Sequence, residues 1–175
     1  FERLNKGSYF KQQATSLRMG DLGYISETQD DLNISINSIQ EYIQDLKTAL
    51  TKPHGDYQNL GEFSNEQRIQ LNTSVIQIEN EYYSTIRPKR ICPSGERPIN
   101  ILNSEGIEYL ELRCVDLDPF NPIGIDRSQI DFLDVFLLFC LSKDSPPLET
   151  TEINSLKENH KKIINDGRNP NLKIF

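Results

Sequence analysis

From Asp31 to Thr51 the apolar residues Leu32, Ile36, Ile39, Ile43, Leu46 and Leu50 recur at alternating steps of four and three. That repeat puts them on one face of a helix. Ser38-Ile39-Gln40-Glu41 has the spacing of a capping box, with Ser35 an alternative cap one turn earlier, and Lys52-Pro53-His54-Gly55 supplies the stop. Burying six aliphatic side chains is worth on the order of 10 kcal/mol before entropy is charged, so this helix reads as structural. It has too few heptads for a coiled coil. The stretch from Ile130 to Leu141 carries only Asp131 and Asp134 as charges, which predicts a helix buried around most of its circumference and packed on the apolar side of a sheet. Asp126-Arg127-Ser128-Gln129 reads as its start and Ser145-Pro146-Pro147 as its end. Ile153, Leu156, Ile163 and Ile164 make an amphipathic helix of Glu152 to Asp166, closing at Gly167.

Elsewhere the period drops to two. Arg68 to Asn72 and Ser74 to Tyr83 alternate as strands; in the second, Ile76, Ile78 and Asn80 share one face and Gln77, Glu79, Glu81 and Tyr83 the other. The basic run Arg87-Pro88-Lys89-Arg90 follows, read either as a solvated loop or as the neighbour of a third strand. Pro93 to Pro98 is a turn and Ile99 to Asn103 a short helix. The third strand opens the stretch Gly106 to Asp126, around which the chain is organised. Ile107, Tyr109, Glu111 and Arg113 face one way, and Leu110, Leu112 and Cys114 form a packing face. Residues 56–66 read as a polar connection, residues 1–17 have no clear pattern beyond a turn at Gly7, and Ser16 to Tyr24 is a compact stretch with two glycines that permit close backbone approach. The order of elements is α+β, a mostly antiparallel sheet backed by helices.

A length of 175 residues with 36% hydrophobic positions fits one domain with a real core. The 26 acidic against 19 basic residues, net −7, argue against nucleic acid or an anionic membrane as partner. They do not exclude an anionic substrate, because a local arginine cluster or a bound cation reverses the sign inside a cleft. The longest apolar run, Val135 to Leu141, is far too short to span a bilayer. Cys92, Cys114 and Cys140 show no metal-binding spacing, which favours a reduced, cytoplasmic setting and disfavours zinc. His54 and His160 read as surface residues. The row Glu111 and Arg113 is a solvated sheet face on pattern alone, or, on a rigid strand, a place where a cation and a guanidinium meet one anion.

Four stretches taken together resemble the proteobacterial-type glutamate–cysteine ligase family. They are Thr15-Ser16-Leu17-Arg18-x-x-Asp21-Leu22-Gly23-Tyr24; Gln77-Ile78-Glu79-Asn80-Glu81-x-Tyr83; Ile86-Arg87-Pro88-Lys89-Arg90; and Gly106-Ile107-Glu108-Tyr109-Leu110-Glu111-Leu112-Arg113-x-x-Asp116-x-x-Pro119-Phe120. The resemblance implies a part of a glutamine synthetase-like catalytic fold, and an activity in which ATP phosphorylates the glutamate γ-carboxyl and the amine of L-cysteine displaces phosphate. It implies ATP and Mg2+ (or Mn2+) as cofactors, with L-glutamate and L-cysteine as substrates. By the same resemblance Glu111 is a metal ligand and Arg113 a catalytic contact to the transferred phosphoryl group. Tyr24 and Tyr83 line the cysteine pocket, Arg18 contacts a substrate carboxylate, and Arg87 lies near phosphate. Glu79 and Glu81 receive no role.

Two departures stand out: Lys11-Gln12-Gln13 where a more aromatic approach is expected, and Cys114 where a small hydroxyl residue is expected. Members of the family are much longer, so residues 1–175 read as a single partial catalytic domain, an internal to C-terminal fragment that lacks an N-terminal portion and is inactive alone. Two rivals remain open: a carboxylate–amine ligase with a different amino acceptor, and a non-catalytic interaction domain.

Overall fold

Ser38 ends an extended approach and starts the first long helix, α1 (Ile39–Thr51), by accepting a hydrogen bond from the Glu41 amide at 3.1 Å. Ser38 is the cap the sequence offers, although the apolar repeat runs back to Asp31 and Ser35 is an alternative start. The helix does not begin earlier because Ser35 gives its backbone N–H to Asp45 (2.8 Å) and its hydroxyl to Glu41 (2.6 Å), so acids on α1 hold the preceding segment outside the helix. Leu32 still packs on the core from that segment, whereas Ile36 is exposed. The computed structural model describes residues 1–174.

The chain forms two compact units, Tyr24–Cys114 and a second made of Phe1–Gly23 with the residues from Val115 onward. In the first, α1 is followed by α2 (Gly55–Leu60) and the strands β3 (Phe63–Ser64) and β4 (Gln67–Arg68). Then come β5 (Ile86–Lys89), α3 (Pro98–Glu105) and β6 (Tyr109–Leu112). Its core joins Tyr42, Ile43, Leu46 and Ala49 of α1 to Ile99 and Leu102 of α3 around Ile76, which is fully buried. The strand expected over Arg68–Asn72 is only a two-residue arm of the β3–β4 hairpin, whose tight turn holds Asn65 and Glu66 at φ of 48° and 66°.

Ser74–Tyr83, expected as a strand, is irregular and ends in a single 3-10 turn over Glu79–Glu81. Side chains occupy the backbone groups a ladder would use. Asn72 takes the Ser74 N–H, Glu81 the Gln77 N–H, and Gln77 the Leu71 N–H, at 2.6 to 2.8 Å. Polar side chains that can fold back on the main chain compete with strand pairing.

The pairing of the basic run with the central strand is as expected, and it is antiparallel. Ile86 lies opposite Leu112, Arg87 opposite Glu111, Pro88 opposite Leu110 and Lys89 opposite Tyr109. The central strand is shorter than its pattern. Gly106 closes α3 at φ 78°, a conformation that favours glycine, and the chain then extends into β6. The face expected to be packed is open: Leu110 and Cys114 are exposed and Leu112 is half-buried. All three sheets in the described residues are two-stranded and antiparallel, so the α+β class holds.

The other unit carries β1 (Glu2–Asn5), β2 (Ser8–Phe10), α4 (Arg127–Leu141) and α5 (Thr150–Asp166). Gly7 lies in the β1–β2 turn. α5 buries Ile164 and Asn159, and its backbone is joined to the early segment by Thr15 N–H to Ile164 O, 3.0 Å. The glycines of Ser16–Tyr24 serve the chain's approach to itself. A Cβ at Gly23 would collide with the Arg18 carbonyl.

α4 corrects an expectation. None of its residues is buried, and Phe132, Val135, Leu138 and Leu141 are each at least 65% exposed. A helix apolar on most sides needs neighbours on most sides, and its own unit supplies too few. Its cap is as expected: Asp126 accepts from the Gln129 N–H (2.8 Å) while the Gln129 side chain accepts from the Asp126 N–H (2.9 Å). Hydrogen bonds from the Ser128 hydroxyl and the Gln129 amide hold the Asp126 carboxyl below its usual value. A depressed carboxyl stabilises the fold above its unfolded pKa, and that contribution is lost as pH falls through the folded value. Protection of the Gln129 amide against hydrogen exchange is therefore expected to drop on acidification below the ordinary value of 3.8. Asp126→Asn, which still caps, should flatten that dependence; an unchanged acid limb in the variant would contradict it.

Candidate active-site face of the β5–β6 ribbon

Directly opposed residues of an antiparallel pair share a face, so the register that sets Arg87 against Glu111 also gathers Lys89, Tyr109 and Arg113 there. Arg87 is 4% exposed, as a charged group normally is only when its partners are supplied. Its Nε and one Nη reach the same Glu111 oxygen at 2.9 and 2.6 Å. The other Nη donates to the carbonyls of Asn80 (3.0 Å) and Tyr82 (3.3 Å). The second Glu111 oxygen accepts from Arg113 at 3.3 Å.

Arg113 in turn lies over the ring of Tyr24, 4.5 Å from its centre, and Tyr24 meets Tyr83 with ring centres 4.2 Å apart. Five of the six residues expected at the site thus form one connected row: Arg87, Glu111, Arg113, Tyr24 and Tyr83. The sixth, Arg18, belongs to the other unit, where its backbone N–H bonds Asp116 at 2.8 Å. Glu79, for which the sequence suggests no role, accepts from Arg97 at 2.9 Å and holds the start of the 3-10 turn. Gln29 and Asn80 also join the site and were not expected there. A glutamine in a polar loop carries no signal of its own.

The electrostatics follow from this packing. Burial pushes the Glu111 carboxyl up, but the hydrogen bonds and charge of Arg87, with the charge of Arg113, outweigh it and hold the group below its usual value. Burial raises the Tyr24 phenol, against the opposing pull of Arg113 and Arg87. Tyr42, beneath the ribbon, is pushed up to about 12 chiefly by burial. Both tyrosines are neutral phenols at ordinary pH. Beside the row lies a cavity of ≈ 350 Å³ bordered by Lys89, Arg90 and Tyr109 and floored by Tyr42, Leu46 and Leu102. Cys92, Cys114 and Cys140 are free thiols, and no helix among the described residues is long and apolar enough to cross a membrane.

A carboxylate held between two guanidiniums, next to an aromatic pair and a cavity bordered by Lys89 and Arg90, is an arrangement that can receive an anionic small molecule. The chain belongs to the glutamate–cysteine ligase family: the family described as "Glutamate-cysteine ligase" matches residues 1–163. It is 47% identical over 174 residues to the glutamate–cysteine ligase of Aliivibrio salmonicida and 45% identical over 174 residues to that of Shewanella oneidensis. In each case the match takes in 99% of this chain but 33% of the relative, so the chain spans about a third of their length. Among solved structures it is similar to the glutamate–cysteine ligase of Francisella tularensis in complex with AMP. The TM-score is 0.87 at 45% identity, over 93% of this chain and 32% of that one. A bifunctional glutathione synthetase from Pasteurella multocida, at 24% identity and a TM-score of 0.55 over 94% of this chain and 17% of that one, shares the fold.

Proposed function

We propose that this chain works as part of a longer enzyme that joins the γ-carboxyl of L-glutamate to the amine of L-cysteine with ATP, the first step of glutathione synthesis. The γ-carboxylate oxygen attacks the terminal phosphorus of ATP, the bond to ADP breaks, and an acyl phosphate forms. The cysteine amine then attacks the acyl carbon, phosphate leaves with the electron pair, and the nitrogen loses a proton. The observation that carries this reading is the connected row from Arg87 to Tyr83, in a chain of this family.

Arg113 neutralises charge on the transferred phosphoryl oxygens, held for that by Glu111 and by the Tyr24 ring. Tyr24 and Tyr83 offer two ring faces to a small acceptor, and Arg18 contacts a substrate carboxylate. Nucleotide binding is supported by the AMP complex of the Francisella relative, and by a cavity whose cations and Tyr109 ring suit a phosphorylated base. Arg87 borders that cavity, with its guanidinium turned to Glu111 and to the carbonyls of Asn80 and Tyr82.

Mg2+ or Mn2+ would offset the repulsion between ATP and glutamate when bound. The residues of this chain do not by themselves fit such an ion. Among the described residues no three His, Cys, Asp or Glu converge, and both Glu111 oxygens already accept from arginines. Glu111 would supply at most one ligand, through a lone pair the arginines leave over, and the remainder would come from the rest of the longer enzyme. The free thiols suit a reducing cytoplasm.

The test is ADP release by the complete protein with ATP, Mg2+ and glutamate, with and without cysteine. Release that depends on cysteine is expected. Equal release with a panel of other amines would move the acceptor away from cysteine, and no release with any acceptor would sink the ligase reading.

A further inference from the structure

The turn that carries Tyr83 has little internal structure: its own hydrogen bonds are Glu81 N–H to Ile78 O at 3.1 Å and Tyr82 N–H to Glu79 O at 3.3 Å. Its outward carbonyls are nevertheless taken one after another. Asn80 O accepts from Arg87, Glu81 O from the Gln29 amide nitrogen at 2.8 Å, and Tyr82 O again from Arg87. The next group, the Tyr83 N–H, donates to the Gln29 amide oxygen at 2.9 Å. Gln29 thus uses both ends of its amide on one peptide segment, as a paired strand would. It comes from a separate 3-10 turn, Glu27–Gln29, lying 54 residues before Tyr83 in sequence. Two side chains, Gln29 and Arg87, therefore hold one backbone group on each of four successive residues.

We propose that Gln29 and Arg87 are positioning residues for the acceptor pocket: they hold the Glu79–Tyr83 turn so that Tyr83 meets Tyr24, and Arg87 ties that turn to the Glu111 carboxylate. This rests on the reading of Tyr24 and Tyr83 as the acceptor pocket. Arg87 spends its guanidinium on Glu111, Asn80 O and Tyr82 O at 4% exposure, so its effect on the reaction runs through those partners rather than through phosphate. A planar fork is required, because three partners lie in different directions. Lysine offers one point charge on a flexible stem and cannot serve them together.

The experiment is steady-state kinetics of the complete protein and two variants, Gln29→Met and Arg87→Lys, with ATP, glutamate and cysteine varied separately. Gln29→Met keeps the side-chain length and removes both hydrogen bonds. It should raise KM for cysteine about tenfold and leave KM for ATP and glutamate within about twofold. Arg87→Lys should lower kcat/KM for cysteine by about 10²-fold, and the retained positive charge should not rescue it. Gln29 is half-buried in a short 3-10 turn outside the hydrophobic core, so its variant keeps the test open if Arg87→Lys does not fold. A uniform fall in kcat with unchanged KM for cysteine in Gln29→Met would overturn the proposal. So would a selective rise in KM for ATP in Arg87→Lys, which marks a direct nucleotide contact. A wild-type protein without cysteine-dependent turnover would instead count against the ligase reading, before either variant is compared.

Discussion

Arg113→Ala in the complete protein is expected to lower kcat by about 10²- to 10³-fold, the scale for removing one preorganised transition-state contact. Preorganisation is the reason to expect so much. A lysine or arginine in solvent must give up rotamer freedom to meet a developing charge. Arg113 has already been placed, by the Glu111 oxygen at 3.3 Å and the Tyr24 ring at 4.5 Å. The Tyr24 phenol is neutral at ordinary pH and burial raises it further, so it offers a ring face rather than a competing anion. Steady-state kinetics with saturating glutamate and ATP would read the loss in kcat. If the substitution raised KM for glutamate and left kcat unchanged, Arg113 would bind ground and transition states alike. An unaltered rate would support the non-catalytic interaction domain.

Glu111→Gln should show two separable effects. In activity, the loss expected is again about 10²-fold, because the charge that orients Arg113 is gone. In stability, Arg87 would keep a hydrogen-bonding oxygen but lose its counter-charge while its own side chain is 5% exposed. The Glu111 side chain is 35% exposed, so solvent screens part of the pairing. A cost of about 1–3 kcal/mol, the scale for leaving a buried polar group poorly satisfied, is expected in denaturant unfolding. A variant as stable as the parent but inactive would assign Glu111 to chemistry alone. One that loses stability yet keeps its rate would make the carboxylate a structural tie.

Legibility in the sequence varied with how local the governing interaction is. The α4 capping box was readable because Asp126 and Gln129 are three residues apart and satisfy each other's backbone. The basic run was legible only as a possible neighbour of the central strand; that Ile86–Lys89 pairs with it, Arg87 opposite Glu111, is a contact between segments that only the fold supplies. Ser74–Tyr83 misled because alternation describes side-chain polarity, while the fold of that segment is decided by Asn72, Gln77 and Glu81 reaching back to the main chain. The late start of α1 has the same cause, with Glu41 and Asp45 holding Ser35 out of the helix. α4 misled in another way: apolar composition states how much cover a helix requires, and says nothing about whether this chain provides it.

The α+β class, the capped helices and the family to which the chain belongs are written in the sequence alone. Those follow from periodicity, short-range capping and the order of motifs. Folding alone sets Arg87 opposite Glu111, places Glu111 between two guanidiniums, rests Arg113 on Tyr24, and lets Gln29 grip the segment that leads to Tyr83. Each of those is a contact between segments far apart in the chain. Its formation depends on burial and on which backbone groups remain to be satisfied, and neither quantity is written at any single position.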